Sequence, residues 1–227
     1  MRRDSGLGTR DSGTPRFASV ILDVDSTLAA IEGIDWLARG RGADVAAAVA
    51  EVTERAMNGE IPLDAVYGER LAAVRPTAAE LDALGAAYCG ALAPGAREAV
   101  AALRAAGVRL AIVSGGIRRA ILPLARHLGI ADDAVRAVRV DVDDEGAYVG
   151  FDGASPLARE GGKLVVAREL ALPRPVLGVG DGITDSEMRP ALDAFALFTA
   201  FVRREVAARA ADVELSSFDD LVSYVLQ

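Results

Sequence analysis

The sequence of 227 residues contains one cysteine, Cys89, one histidine, His127, and one lysine, Lys163, against 24 arginines. A single cysteine excludes an internal disulfide and a cysteine-rich zinc site, and it favours a reducing compartment. A single histidine excludes a multi-histidine metal site, and a serine or cysteine triad would need His127 itself. The composition therefore favours carboxylates as the acids, bases and nucleophiles of any catalytic site.

Long apolar segments are also missing. No uncharged run approaches the ~18 residues of a membrane span. The first apolar run, Phe17 to Leu22, reaches Asp23 before it could form a secretory core of ~7–15 apolar residues. A formal net charge of −8 argues against nucleic acid or an anionic membrane as a partner. We therefore expect a cytoplasmic protein that binds a small molecule.

Short apolar runs recur along the chain, and helical patterns lie between them. The candidate strands are residues 17–24, 108–113, 135–140, 175–179 and 194–198. The candidate helices are residues 95–106, 117–128, 161–172 and 201–211, the second with a kink at Pro123. This alternation predicts an α/β fold with a doubly wound, mostly parallel sheet covered on both faces.

Residues 29–93 break the alternation, because they contain helical stripes and no strand-like run. One of the helices opens on a capping box, Thr77 to Glu80. We therefore predict a small helical cap inserted after the first strand, with residues 17–28 and 94–227 forming the core. Residues 1–16 are rich in Gly, Ser, Asp and Arg and are expected to form a mobile tail.

Pairs of aspartates follow two of the predicted strands. Asp23 and Asp25 lie at the end of the first strand, and Asp181 and Asp185 follow the strand at residues 175–179. Ligands of open α/β sheets bind beyond the carboxyl ends of the strands, so these four acids are expected to meet there. Such a cluster is costly without a cation, and its hard oxygen ligands suit Mg²⁺.

Two further segments add anion-binding chemistry. Ser114-Gly115-Gly116 follows the strand at residues 108–113 and is expected to open a helix, where backbone N–H groups cradle a phosphate. Lys163 is the one ammonium in a chain that otherwise uses arginine, which favours a role for a point charge. Together with the acids, these groups predict phosphoryl transfer to an aspartate nucleophile, and a second carboxylate would act as acid and then as base.

Eight blocks of sequence carry a resemblance to a known family. They are Val20–Thr27, Glu32–Asp35, Arg55–Met57, Glu69–Leu71, Ser114–Gly116, Gly150–Asp152, Gly161–Lys163 and Gly180–Asp185. Over residues 17–227 the sequence resembles the haloacid dehalogenase superfamily of phosphatases and, within it, the phosphoserine phosphatases. The resemblance implies a Mg²⁺-dependent hydrolysis of O-phosphoserine to serine and phosphate, a step of serine biosynthesis.

The resemblance also implies individual roles. Asp23 would be the nucleophile and Asp25 the general acid and base. Magnesium would be held by the carboxylates of Asp23 and Asp181 and the backbone carbonyl of Asp25, with Asp185 supporting its waters. The phosphate would be bound by Ser114, Gly115, Gly116 and Lys163, with Thr184 nearby. The helical cap would close over the substrate and exclude water.

Two cap residues are expected to select the substrate. An arginine fork suits a carboxylate and a glutamate suits an ammonium, so Arg70 and Glu32 together would bind the zwitterion of serine. Met57 and Asn58 would line the cap side, where the family commonly has glycine at position 58. The resemblance therefore assigns a small phosphorylated amino acid as the substrate.

Three alternatives stay open at this point. The same chemistry would serve another small phosphomonoester, such as a phosphorylated amine or alcohol. A non-hydrolytic receiver domain also combines acids, Mg²⁺, a hydroxyl and a lysine, although it needs no helical insert. Net phosphoryl transfer to an acceptor other than water is the third. A homodimer through the cap or a sheet edge is compatible with the sequence.

Overall fold

Six parallel strands form the central sheet of the structure, a computed structural model that describes residues 14–227. The eight strands of the described residues are β1 Ser19–Leu22, β2 Arg109–Ile117, β3 Val135–Val138, β4 Val140–Val142, β5 Tyr148–Phe151, β6 Val176–Gly180, β7 Ala194–Phe198 and β8 Val213–Leu215. The order in the large sheet is β3-β2-β1-β6-β7-β8, while β4 and β5 pair antiparallel in a separate hairpin. The predicted α/β fold with a mostly parallel sheet is confirmed.

The strand β1 is central, and all four of its residues are buried. Its first residue, Ser19, pairs with Arg109 of β2 on one side and with Val176 of β6 on the other. A strand with neighbours on both edges and helices on both faces is covered in every direction, which explains its unbroken apolar sequence. The chain therefore leaves β1 at the middle of the sheet's carboxyl edge.

Within residues 14–227, ten α-helices accompany the strands. They are α1 Gly33–Ala38, α2 Ala43–Met57, α3 Leu63–Val74, α4 Ala78–Gly90, α5 Ala96–Ala105, α6 Arg118–His127, α7 Gly162–Glu169, α8 Ile183–Ser186, α9 Glu205–Ala208 and α10 Phe218–Leu226. The helix α6 continues across Pro123, where a kink was expected. None of the described helices combines the length and the apolar character that crossing a bilayer requires.

Four helices, α1 to α4, occupy the span between β1 and α5. The predicted capping box is present at the start of α4, where Glu80 N donates to Thr77 Oγ1 at 3.3 Å and Thr77 N donates to Glu80 Oε2 at 2.8 Å. The helices α1, α2 and α3 pack on one another, whereas α4 packs along α6. A Cβ added at Gly85 would lie 3.0 Å from Pro123 Cγ, so a glycine permits this close approach.

The antiparallel hairpin β4–β5 was not expected from the sequence. The predicted strand at residues 135–140 ends at Val138, and the chain leaves the sheet to form the hairpin. The hairpin contacts the helical span, because Ala78 N donates to Gly146 O at 2.8 Å and the rings of Tyr67 and Phe151 lie 5.4 Å apart. The hairpin therefore packs beside α3 and α4.

The region after β7 also differs from the prediction. The helix expected at residues 201–211 is limited to α9, and β8 and α10 follow it. The carboxylate of Asp212 accepts hydrogen bonds from Phe195 N at 2.8 Å and from Arg189 at 2.7 Å, which draws the chain back to the sheet edge. These tertiary contacts override the helical pattern of residues 201–211.

The predicted tail lies mostly outside the described part of the chain, which begins at residue 14. Its last residue, Arg16, is attached to α10: its backbone N–H donates to Val225 O at 2.7 Å, and its guanidinium lies 4.2 Å from the ring centroid of Tyr224. Arg16 thus connects the start of the described chain to α10.

Candidate active site

The carboxylates of Asp23 and Asp25 diverge at the end of β1. Backbone hydrogen bonding continues to Asp23, whose N–H donates to Val179 O at 3.0 Å, and the chain then turns through Ser26, which has a φ of 50°. The side chain of Asp23 points to Lys163, whereas that of Asp25 accepts hydrogen bonds from Gly33 N. The two carboxylates therefore lie on different walls of one cavity.

The single lysine is buried between two carboxylates. Lys163 lies in the first turn of α7 with only 7% of its surface exposed, and its Nζ lies 3.0 Å from Asp23 Oδ2 and 2.6 Å from Asp185 Oδ1. Burial lowers the pKa of Lys163, but the charges of Asp185 and Asp23 outweigh it and the net pKa is raised. The side chain is therefore an ammonium in direct contact with the predicted nucleophile.

Three buried aspartates form a cluster that could hold a metal ion. Asp23, Asp181 and Asp185 each place a carboxylate oxygen within 4.8 Å of the others. Burial and the nearby charge of Asp23 raise the pKa of Asp185 to about 7, against the opposing effect of Lys163. Asp23 Oδ1 is buried without a hydrogen-bond partner among residues 14–227, whereas Asp181 Oδ2 is paired with Arg204 Nη1. A bound cation would satisfy Asp23 Oδ1 and offset the repulsion among the three carboxylates, so the residues fit a hard divalent ion.

The residue at the end of β6, directly before this cluster, must be a glycine because a side chain there would clash with Asp185. A Cβ added at Gly180, the last residue of β6, would lie 2.1 Å from Asp185 Cγ. The carboxylate of Asp185 is fixed there by Lys163 and by Gly182 N, which donates to its Oδ2 at 3.1 Å. Gly180 therefore permits the close packing of the Asp185 carboxylate against the end of β6.

Two hydrogen bonds from the protein hold one oxygen of the Asp25 carboxyl group. Its Oδ1 accepts hydrogen bonds from Gly33 N and from the hydroxyl of Tyr88, each at 2.7 Å. Burial, and then the charges of Glu32 and Asp23, raise the pKa of Asp25 well above its usual value. A carboxyl group with a raised pKa retains its proton at higher pH, as a general acid requires.

The Ser114–Gly116 segment belongs to the end of β2 and does not open a helix. The strand continues to Ile117 with a shift of register after Val113, and α6 begins only at Arg118. The predicted position of these residues at a helix N-terminus was therefore wrong. Ser114 Oγ accepts a hydrogen bond from Gly116 N at 3.0 Å, and the hydroxyl of Tyr67 donates to Gly115 O at 2.7 Å.

Glycines line the cavity at this strand end. Gly115 and Gly116 are among the lining residues, whereas Ser114 is buried and is not one of them. A Cβ at Gly116 would lie 3.0 Å from Asp25 Oδ2, so a side chain here would crowd the acid. The structure thus brings Gly116 next to Asp25, and both glycines line the same cavity as Asp23.

Arg70 reaches the same cavity from α3. The guanidinium is 7% exposed, its Nη1 donates to Thr53 Oγ1 at 2.7 Å, and that hydroxyl donates to Asp35 Oδ1 at 2.6 Å. Arg70 Nε is buried without a hydrogen-bond partner among residues 14–227. A buried guanidinium that keeps an unused donor suits an anionic ligand.

Most of the other predicted substrate-binding residues also line the cavity. Glu32, Met57 and Thr184 do so, and Glu32 Oε1 accepts a hydrogen bond from Ser26 Oγ at 2.7 Å. Asn58 does not: it follows α2, and its Nδ2 donates to Glu54 Oε1 at 3.2 Å. The structure therefore gives Asn58 a place at a helix end rather than at the cavity.

Comparison with known proteins identifies the family. The family model described as haloacid dehalogenase-like hydrolase matches residues 17–193. The chain belongs to the haloacid dehalogenase-like hydrolases. Phosphoserine phosphatase of Bos taurus is 36% identical over 207 residues, which cover 90% of this chain and 91% of the relative. The Homo sapiens enzyme of the same name is 37% identical with the same coverage.

A solved structure supports the same fold. A phosphoserine phosphohydrolase-like protein from Francisella tularensis superposes with a TM-score of 0.83 at 24% identity, covering 90% of this chain and 98% of that one. As a haloacid dehalogenase-like hydrolase, the chain is an enzyme, and the prediction of a phosphatase rather than a receiver-like domain is confirmed.

Three residues of this hydrolase site carry no sequence signal that would single them out. Tyr67 and Tyr88 lie in helices with ordinary helical patterns. The hydroxyl of Tyr67 donates a hydrogen bond to Gly115 O, and that of Tyr88 donates one to Asp25 Oδ1. Arg204 is one of 24 arginines, yet it is 5% exposed and contacts Asp181 Oδ2 through Nη1 and Glu54 Oε2 at 3.1 Å through Nη2. Only the tertiary structure identifies them.

Proposed function

We propose that this chain is a Mg²⁺-dependent phosphatase that hydrolyses O-phosphoserine to serine and inorganic phosphate. The contact of Lys163 Nζ with Asp23 Oδ2 at 3.0 Å carries the proposal, because it places an ammonium where an attacking carboxylate and a phosphoryl group would meet. The relatives described above, which are named phosphoserine phosphatases, support the choice of substrate. The reaction would complete the synthesis of serine.

The magnesium ion of this proposal would be held by the carboxylates of Asp23 and Asp181 and the backbone carbonyl of Asp25, with Asp185 supporting its water ligands. The buried Asp23 Oδ1, which lacks a hydrogen-bond partner among residues 14–227, and the closeness of the three carboxylates support this assignment. When bound, the ion neutralises part of the negative charge on the phosphoryl oxygens.

In the first half of the reaction, a carboxylate oxygen of Asp23 attacks phosphorus and the bond from phosphorus to the serine oxygen breaks. The ammonium of Lys163 offsets the charge of the two approaching anions, since it contacts Asp23 directly. Asp25 gives its proton to the departing alkoxide, so serine leaves as an alcohol. The enzyme then holds the phosphoryl group as an acyl phosphate on Asp23.

In the second half, the ionised Asp25 takes a proton from water, and the water oxygen attacks phosphorus. The bond between phosphorus and the Asp23 oxygen breaks, inorganic phosphate leaves, and Asp25 is protonated again. One carboxyl group thus acts first as acid and then as base. Gly115 would bind the phosphate through its backbone N–H group, together with Lys163 and Thr184, and Gly116 would line this part of the site. The N–H of Gly116 donates to Ser114 Oγ, so Ser114 would orient this segment.

Substrate selection is assigned to Arg70 and Glu32. The unused Nε donor of the buried Arg70 guanidinium suits the carboxylate of serine, and the carboxylate of Glu32 suits its ammonium. Met57 would contact the substrate from the cap side. Asn58 lies outside the cavity lining and has no role in this proposal.

The domain division belongs to the same proposal. Residues 29–93 would act as the cap, and residues 17–28 and 94–227 as the core. The packing of α1, α2 and α3 on one another supports a cap inserted after β1, and α4, which packs against α1 and along α6, would connect this cap to the core. A cytoplasmic location and a homodimer stay predictions, the second to be measured by light scattering of the purified protein.

A substrate panel with matched partners tests the function. Phosphate release is measured with O-phosphoserine and with phosphoethanolamine, which lacks the carboxylate, each with Mg²⁺ and with a chelator. We expect magnesium-dependent turnover with a higher kcat/KM for phosphoserine, and no turnover by Asp23→Asn. Equal or better use of phosphoethanolamine would favour another small phosphomonoester, and absence of turnover with every phosphate ester would reject the proposal.

A further inference from the structure

A fully buried tyrosine lies behind the carboxyl group that is the proposed acid and base. Tyr88 of α4 has 0% of its surface exposed, and its hydroxyl donates to Asp25 Oδ1 at 2.7 Å. Gly33 N donates to the same oxygen at 2.7 Å. Two donors from two different helices therefore hold one oxygen of Asp25.

The second oxygen of Asp25, Oδ2, lies where it can exchange a proton with the substrate. Asp25 Oδ2 lies near Gly116, where an added Cβ would be 3.0 Å away, and Gly116 lines the cavity. The two oxygens of the carboxyl group therefore have different surroundings. Oδ1 is held by hydrogen bonds from Tyr88 and Gly33, whereas Oδ2 faces Gly116 in the segment proposed to bind phosphate. Fixing Oδ1 fixes the plane of the carboxyl group and with it the direction in which Oδ2 points.

The packing around Tyr88 leaves its hydroxyl little freedom. A Cβ added at Gly33 would lie 2.1 Å from the Tyr88 hydroxyl oxygen and 3.0 Å from Cζ, so the phenol is pressed against the backbone of α1. The helix that carries Tyr88 is itself packed along α6 and against α1. The donor is therefore as rigid as the helices that bury it.

On these contacts we propose that Tyr88 is a positioning residue that holds Asp25 in the orientation needed for both proton transfers. The inference rests on the proposed phosphatase function. Proton transfer requires the two heavy atoms to be about 2.6–3.2 Å apart, so a carboxyl group that rotates freely spends time out of reach. Tyr88 keeps its own proton: the proton delivered to the serine oxygen comes from Asp25 and is replaced from water.

The Tyr88→Phe variant tests this role, because it keeps the buried ring and removes only the hydroxyl. We expect kcat with phosphoserine to fall about 10- to 100-fold while KM changes by less than about threefold, since general acid and base catalysis contributes about 10²- to 10⁴-fold. Tyr224→Phe is the matched control: Tyr224 lies on α10, outside the cavity lining, and should keep the wild-type kcat. A kcat of Tyr88→Phe within twofold of the wild type would overturn the inference.

A second variant separates positioning from damage to the fold. Gly33→Ala keeps the tyrosine but places a methyl group where its hydroxyl lies, so it should lower kcat in the same way even if Tyr88→Phe does not fold. Thermal unfolding of both variants accompanies the kinetics. A wild-type kcat in a folded Gly33→Ala protein would count against the role of Tyr88.

A double-mutant cycle then asks whether Tyr88 acts through Asp25. Adding Tyr88→Phe to Asp25→Asn should cause no further loss in the residual turnover, measured with radiolabelled phosphoserine, because the group to be positioned is already gone. A further loss as large as in the wild-type background would show that Tyr88 acts elsewhere. Failure of the proposed function is a different result, since the unmodified enzyme would then show no turnover of phosphoserine.

Discussion

The hydroxyl of Tyr67 donates to the carbonyl of Gly115 at 2.7 Å and so joins α3 to the end of β2. The tyrosine is 1% exposed, and its ring packs on Phe151 of the hairpin at 5.4 Å between centroids. One hydrogen bond therefore connects the proposed cap to the segment proposed to bind phosphate.

Removing this bond should weaken closure over the substrate. A buried hydrogen bond contributes about 0.5–1.5 kcal/mol, so we expect Tyr67→Phe to raise KM for phosphoserine about 2- to 10-fold with a smaller change in kcat. Steady-state kinetics give both constants. An unchanged KM in a folded variant would show that the bond does not contribute to closure.

The ammonium of Lys163 should not be replaceable by a guanidinium. Lys163 fits between Asp23 and Asp185 as a point charge, and the larger planar fork of arginine cannot keep both distances. We expect Lys163→Arg and Lys163→Met to lower kcat by about 10²- to 10³-fold, the range for loss of one preorganised donor. Arg168→Lys, an exposed position on the same helix, is the control. Retention of kcat by Lys163→Arg would contradict the point-charge role.

The buried pair of Arg204 and Asp181 predicts a link between stability and metal. Removing one member of a buried ion pair costs about 3–5 kcal/mol, so Arg204→Ala should destabilise the metal-free protein by that amount. Magnesium should restore part of this loss, because a ligand that binds the folded state stabilises it. Thermal unfolding with and without Mg²⁺ measures both effects.

A neighbouring arginine supplies the control for this experiment. Arg203 forms ion pairs with Glu205 and Glu214 on the surface, and Arg203→Ala should change stability far less than Arg204→Ala and with no dependence on metal. Equal losses for the two variants would argue against the importance of the buried pair.

The acid dependence of stability should include Glu80. Its hydrogen bond to Arg41, together with those to Thr77, lowers the pKa of Glu80 to about 2, below the usual 4.5. A lowered pKa in the folded state adds stability above pH 4.5, and that stability is lost as the pH falls through about 2. Glu80 is partly exposed, so screening limits the contribution to about 0.5–1 kcal/mol.

The comparison of wild type with Glu80→Gln isolates this contribution. The difference in the free energy of unfolding should be present at pH 7 and should disappear toward pH 2. Glu51→Gln, an exposed position on α2, should show no such trend. A difference that grows as the pH falls would reverse the predicted sign.

The sequence was sufficient for the parts of the site that follow strands. Asp23 and Asp181 follow apolar runs directly. Parallel strands bring their carboxyl ends to one edge of a sheet, so the sequence pattern alone predicts that these acids lie together. Lys163 was visible because it is unique in composition. Its contact with Asp23 at 3.0 Å agrees with the placement expected from these patterns.

Other parts of the site depend on tertiary packing that leaves no local pattern. Tyr88 and Arg204 resemble ordinary helix and surface residues in the sequence, and only burial and partners reveal their contacts. Asn58 was expected in the cavity from a family position, but α2 ends there and the side chain bonds to Glu54 instead. Ser114–Gly116 was expected at a helix start, but β2 continues to Ile117 with a shift of register after Val113, so the segment lies at a strand end.

Trapping of the covalent intermediate tests the central claim most directly. The enzyme is mixed with radiolabelled phosphoserine, quenched within milliseconds and treated with borohydride, which reduces an acyl phosphate of aspartate to homoserine, and the protein is then mapped by mass spectrometry. The account predicts homoserine at position 23 in the wild type and none in Asp23→Asn. Reduction at a different carboxylate, or phosphate release without any acyl phosphate, would contradict it.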